Sequence, residues 1–335
     1  MKNNKLNGYI YVSAYNTELA HKFNTEIDHL RQFGWNISEF DTQKPSDDVI
    51  ILSHTQFNAQ NSNSPAFIII CEDENLAKQY NAISPDGFAI LSALDGGKIE
   101  QALVNSIDIE VEIDKIMVGF NWTMVTAGDY CGIARSPSRG TEGARTVRPE
   151  GGFAGRSLKS IAQMLYSTDA LSRSVGLAAI NAFCNQPDSD KQAKSSMASG
   201  FSSIEAPGEG VVIIGGFRGV TKRLTAAKIV EREPRAEDVP IEQAAETIAT
   251  AKTLAITAQT LMNGSLEPLL LASQNVKRRM LIGPSTPLSP ILFDYGLTDL
   301  NGMAVYDREA IERFICETGT MIMLDGIMQS KGLTK

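Results

Sequence analysis

The chain has 335 residues, more than one ordinary compact core accommodates, so two or three domains are expected. Apolar residues make up 43% and charged residues 21%, the balance of a soluble globular protein rather than a disordered one. A formal net charge of −8 opposes general nucleic-acid binding, and no apolar run approaches the roughly 18–20 residues that span a bilayer.

The start, Met1 to Gly8, is polar and lacks the apolar stretch of a secretory signal, so the cytoplasm is the default expectation. Residues 8–13 read as a strand rich in Tyr, Ile and Val. Residues 17–33 read as a helix with Leu19, Phe23, Ile27 and Leu30 at helical spacing, ended by Gly34. Short apolar runs at 49–52, 66–71 and 88–91 alternate with helical stretches near 74–80 and 98–106. Residues 1–106 therefore predict a small α/β domain with a partly parallel sheet. The Asn/Ser/Gln-rich stretch 54–65 reads as a loop. His21 and His29 are eight residues apart, not the i, i+4 spacing of a helical metal pair, and read as surface histidines.

The second segment, 109–207, begins with a long strand expected over 115–126. Tyr130–Arg135 is its hairpin partner across Ala127-Gly128-Asp129. A Gly- and Arg-rich stretch, 136–156, follows. Two helices come next, one capped by Ser157 and one over 169–184, whose Gly176, Ala178 and Ala179 permit close packing. This is an α+β module. The polar stretch 186–200 reads as a linker.

The third segment, 208–335, opens on Val211–Ile214, a continuous apolar run of the kind a strand buried on both faces requires. Further strands are expected at Lys228–Glu231, Thr253–Thr257, 279–282 and 303–306, with helices at 241–249 and 266–273. This β-α-β alternation predicts a Rossmann-like, doubly wound parallel sheet, making the whole chain an α/β protein.

Ligands of such sheets bind beyond the carboxyl ends of the strands, so the residues that follow each strand are the candidates. Gly215, Gly216 and Phe217 follow the first; they match neither G-x-G-x-x-G nor a P-loop. Glu231 ends the second, where an acid receives a ribose hydroxyl in nucleotide-binding relatives or simply pairs with Arg232 or Arg235. The third is followed by Thr257, Thr260, Asn263, Gly264, Ser265 and Glu267, a turn crowded with hydroxyl and amide groups. The fourth is followed by Gly283, Ser285 and Thr286 in a proline-stiffened loop. Both loops are expected to lie side by side, each leading into a helix whose free N–H groups favour an anion, and to face Asn121. The arginines of the glycine-rich stretch, Arg135, Arg139, Arg145, Arg148 and Arg156, suit carboxylate or phosphate recognition or form a solvated loop.

Four blocks, 119–123, 175–182, 263–267 and 283–288, occur in an order that resembles the putative heavy-metal chelation family of anaerobe-rich bacteria and archaea. The resemblance covers about 109–335. It implies an enolase-N-like α+β domain joined to a Rossmann-like domain, with a site between them. Where many members carry histidine after the first strand's glycine, this chain has Gly216. Residues 1–106 lie outside the family core.

Cys71, Cys131, Cys184 and Cys316 are scattered without a C-x-x-C pair and read as reduced structural thiols. The three histidines all precede residue 109, so direct ligation of a transition metal by the later segments is not expected. The resulting expectation is an anionic or oxygen-rich small molecule in an interdomain cleft, serving heavy-metal chelation or metal-cofactor metabolism. A metal chelate, a pterin-like or a tetrapyrrole-like compound fits that description. The alternative is a non-catalytic sensor or carrier for a nucleotide-like ligand, using Glu231. A scaffold role ranks third. No nucleophile–base pair is visible, so no catalytic residue is named, no cofactor is assigned, and a homo-oligomer remains compatible with the sequence.

Overall fold

The computed structural model describes the strand segments 8–12, 38–39, 49–53, 68–71 and 90–92, together with residues 97–137, 152–166, 170–187, 199–319, 324 and 326–335. In the N-terminal part, β1 (Gly8–Val12), β2 (Ser38–Glu39), β3 (Val49–Ser53), β4 (Ile68–Cys71) and β5 (Ile90–Ser92) form one sheet of order β2-β3-β1-β4-β5. Every pair in it is parallel. The helices expected at 17–33 and 74–80, the loop at 54–65 and the three histidines lie outside the described residues.

Helix α1 (Lys98–Asn105) follows. The sequence reading grouped it with the N-terminal segment, but Ile99, Leu103 and Val104 are buried in the core of what comes after.

The expected long strand over 115–126 is two strands. β6 (Lys115–Val118) and β7 (Trp122–Ala127) are joined by a tight turn in which the Gly119 N–H donates to the Trp122 carbonyl at 2.8 Å. With β8 (Tyr130–Arg135) they make an antiparallel meander. Strand alternation sorts its side chains to two faces. Val125, Ala127 and Ala134 face the large core, while Trp122, Met124, Cys131 and Ile133 join a second cluster with Met303, Phe314 and Leu324. Ser157 caps α2 (Leu158–Ala162) by accepting from the Ser160 N–H at 3.2 Å. Then α3 (Ala170–Cys184) runs across the meander, buried along most of its length.

The last seven strands are β9 (Val211–Ile214), β10 (Lys228–Glu231), β11 (Val239–Pro240), β12 (Thr253–Thr257), β13 (Arg278–Ile282), β14 (Asp299–Val305) and β15 (Met328–Thr334). Their order is β11-β10-β9-β12-β13-β14-β15. Six are parallel and β15 closes the sheet antiparallel to β14. As its unbroken apolar sequence requires, β9 is an interior strand buried throughout. Alternate residues serve opposite faces: Val212 and Ile214 enter the core shared with α1, α2 and α3, and Val211 and Ile213 pack with Phe201, Leu224 and Met280. The meander module and the Rossmann-like sheet thus share one hydrophobic core. No described helix is long and apolar enough to cross a membrane.

The approach of β8 to α3 depends on Gly132. A β-carbon there would lie 2.0 Å from the Ala182 nitrogen and 2.4 Å from the Ala178 carbonyl oxygen, and neither backbone atom can step aside. Gly132→Ala should therefore lower the free energy of unfolding by about 2–3 kcal/mol, the usual cost of overpacking. Gly219→Ala, where a β-carbon meets nothing within 4 Å, should leave it nearly unchanged. Urea melts of the two variants check this, and a Gly132→Ala protein as stable as its parent contradicts the packing.

Candidate functional site

Counted within its own sheet, the strand order is 3-2-1-4-5-6-7, with the switch of direction between β9 and β12. Chain connections leave these two strands toward opposite faces, so a crevice opens at their carboxyl ends. A crevice of about 360 Å³ is found there. Its floor is the sheet edge: Phe217 beyond β9, Thr257, Ala258 and Gln259 at the end of β12, and Gly283, Pro284 and Ser285 beyond β13. Its opposite wall comes from the meander, through Asn121, Trp122 and Arg135. Neither half makes the crevice alone.

The 283–288 loop is held from behind by two asparagines one turn apart on α3 and its C-terminal extension. The Asn181 Nδ2 donates to the Ile133 and Ser285 carbonyls at 2.8 and 3.0 Å. The Asn185 Nδ2 donates to the Thr286 and Met303 carbonyls at 2.9 and 3.0 Å, and its Oδ1 accepts from the Leu288 N–H at 2.8 Å. So placed, the Ser285 Oγ accepts the Arg135 N–H at 2.8 Å, and the Ser174 Oγ donates to the Arg135 carbonyl at the same distance. The Arg135 guanidinium carbon lies 5.3 Å from the centroid of the Trp122 ring, a cation–π arrangement. Partial burial holds its pKa below the ordinary arginine value.

The expected residues divide into three groups. Asn121, Phe217, Thr257, Gly283 and Ser285 line the crevice. Asn121 does so with a committed amide, since its Nδ2 donates to the Thr318 and Gly319 carbonyls at 3.0 and 3.3 Å. Gly215, Gly216 and Glu231 sit together beside it: a β-carbon on Gly216 would lie 2.6 Å from a Glu231 carboxylate oxygen. Thr260, Asn263, Gly264, Ser265, Glu267 and Thr286 do not line this crevice.

The reason is a short helix, α4 (Gln259–Met262), which begins directly after β12 and divides the expected loop in two. Its first residues face the crevice; its last form a separate buried corner. There the Asn263 Oδ1 accepts from the Ser265 N–H at 3.1 Å and from its hydroxyl at 2.5 Å, a local turn, with Gly264 at φ +73°. Thr260 is used similarly, donating to the Thr257 carbonyl at 2.7 Å. The fourth loop leads not into an α-helix but into a single 3₁₀ stretch, Pro290–Tyr295. Two aligned helix starts are therefore not what faces the ligand space.

Trp122 is not an expected site residue, and Arg135 is expected only as one of several arginines suited to carboxylate or phosphate recognition or to a solvated loop. Trp122 lies within a block singled out by sequence, but as a motif residue without a role. Arg135 was read as one of a run of loop arginines, of which Arg139, Arg145 and Arg148 lie outside the described residues. Arg156 donates its Nε to the Gly152 carbonyl at 3.1 Å, away from the crevice.

Among the described residues, the crevice lining contains no imidazole, thiol or carboxylate. Among the described residues no group of three or more His, Cys, Asp or Glu could hold a metal ion. Burial pushes the Cys131 and Cys184 thiols up to about 12, so neither offers a thiolate at neutral pH. The donor set does not fit a bare heavy-metal ion.

Two matches, both described as putative heavy-metal chelation, fall on residues 201–333 and 100–184. Two solved structures share the fold. One is a protein of unknown function from the DUF364 family of Desulfitobacterium hafniense DCB-2, 24% identical, with a TM-score of 0.64 over 71% of this chain and 98% of its own. The other, also of unknown function and from the same family, is from Pyrococcus horikoshii, 16% identical, with a TM-score of 0.59 over 73% and 100%. No curated protein matches.

Asn263→Ala removes the acceptor of both turn hydrogen bonds and should cost about 1–2 kcal/mol of stability, the usual value of two such bonds. Binding in the crevice should be unchanged; thermal melts and ligand titration of the same variant separate the two effects. A second outcome concerns the thiols. A raised pKa leaves less thiolate at any pH below it, so iodoacetamide at pH 8 should spare Cys131 and Cys184 in the folded protein and modify the exposed Cys316. Peptide mapping reads this directly, and rapid modification of Cys131 contradicts its placement.

Proposed function

We propose, on the premise that residues 100–184 and 201–333 belong to the putative heavy-metal chelation family, that this chain binds an oxygen-rich organic ligand in the crevice between the meander and the Rossmann-like sheet. A heavy metal handled by the chain enters as that ligand's complex, coordinated by the ligand and not by protein side chains. The observation that carries the reading is the lining itself: hydroxyl, amide and guanidinium groups from both halves converge on one space, without a metal-ligating residue among them. The place also supports it, since ligands of open parallel sheets sit at this switch of strand order. No nucleophile–base pair lines the crevice among the described residues, and the proposed activity is binding.

A second reading, a nucleotide-like ligand, is favoured by one observation. Glu231 ends the second strand beside the Gly215-Gly216 turn, where a carboxylate can accept the hydroxyls of a ribose. Against it, β9 is followed by a 3₁₀ turn, Arg218–Val220, and not by a helix whose first N–H groups would hold a diphosphate.

Native mass spectrometry of gently purified protein, with elemental analysis of the same sample, tests the reading. The expected result is a retained organic mass, with any metal present only in proportion to it. A nucleotide mass would favour the second reading. Stoichiometric metal that survives removal of every organic component overturns the first.

A further inference from the structure

We propose that Arg135 is the anion anchor of this crevice, closing its guanidinium fork on a carboxylate or phosphate group of the ligand; this rests on the binding reading above and names the chemistry it selects. The chain is rich in acids, 39 Asp and Glu against 31 Lys and Arg, so an arginine seldom lacks a carboxylate for want of supply. Three of the other described arginines are so paired, while Arg223 and Arg308 donate instead to backbone carbonyls. Arg173 pairs with Glu100 at 2.8 Å, Arg278 pairs with Asp299 at 2.5 Å, and Arg218 pairs with Asp238. Arg135 has neither an ion pair nor a side-chain hydrogen bond among the described residues, although it is half-buried and lines the crevice.

Leaving a partly desolvated cation unpaired is unfavourable unless something arrives to meet it. The structure fixes the residue from three sides in readiness: the Ser285 Oγ holds its N–H, the Ser174 Oγ holds its carbonyl, and the Trp122 ring lies against the guanidinium. The planar fork matches two oxygens of one oxyanion. Ser285 adds to the same chemistry. Its oxygen already accepts from Arg135, so its own proton is left to donate. Arg279 is the contrasting case. Among the described residues its Nε is buried without a hydrogen-bond partner, but it lies near the amino end of β13 with Gly296 against its guanidinium, away from the crevice.

The test is calorimetric titration of the full chain with citrate, with inorganic phosphate and with Ni²⁺ alone, on the parent, Arg135→Gln, Arg135→Lys and the exposed-surface control Lys228→Gln. Melting of each variant is measured alongside. The expected result is binding of at least one oxyanion by the parent, weakened about tenfold or more by Arg135→Gln, partly restored by Arg135→Lys and unaffected by Lys228→Gln. Citrate without phosphate identifies a carboxylate ligand, and phosphate without citrate a phosphate one. Equal oxyanion binding by the parent and Arg135→Gln overturns the anchor, as does a parent that binds neither probe. Should Arg135→Gln fail to fold, Arg135→Lys and Ser285→Ala decide, the first keeping the charge without the fork and the second removing only the hydroxyl; binding undiminished in both overturns the anchor. An organic mass retained equally by parent and Arg135→Gln leaves the binding reading standing while the anchor falls; no retained mass and no oxyanion binding in the parent removes both.

Discussion

Two buried asparagines set the register between the meander and the parallel sheet. Asn181 and Asn185 lie one turn apart, almost wholly shielded from water, and between them satisfy four backbone carbonyls and one N–H drawn from β8, β14 and the 283–288 loop. Each of those groups would be costly to bury alone, by about 1–3 kcal/mol. The pair therefore does more than stabilise. It fixes the height at which a loop of the parallel sheet meets the last strand of the meander, and the Ser285 hydroxyl and the Arg135 backbone are placed by that register. An apolar interface would hold the two halves together, but it would tolerate sliding. Directional hydrogen bonds do not.

Much of this was legible in the sequence, for reasons that differ by element. A strand covered on both faces must be apolar at every position, and Val211–Ile214 is. Turn residues gave the β7–β8 corner, where Gly128 adopts φ +53°. Other features depend on partners that are remote in sequence. The break at Gly119 hides among apolar neighbours, and the need for glycine comes from Ile315, whose side chain would meet an added β-carbon at 2.4 Å. The closing strand Met328–Thr334 is largely polar and half exposed; its pairing with β14, not its composition, makes it a strand.

The candidate site divides along the same line. Strand ends point to Phe217, Thr257 and Ser285, because topology alone sends them to one edge. Richness in hydroxyl and amide groups misleads at Asn263, since a local turn calls for the same residue types as a ligand does. Arg135 shows the reverse. Nothing in its neighbourhood of sequence separates it from the arginines that follow. Its distinction is that it lines the crevice with neither an ion pair nor a side-chain hydrogen bond among the described residues, and only packing reveals it.

The most direct measurement is a crystal structure of the full chain purified without stripping and refined with its residual density. The account predicts an organic molecule between the meander and the sheet, with an oxyanion against the Arg135 guanidinium and oxygens within reach of Thr257 and Ser285. A ligand bound elsewhere with this crevice filled only by water, or a metal ion held there by protein side chains alone, would contradict it.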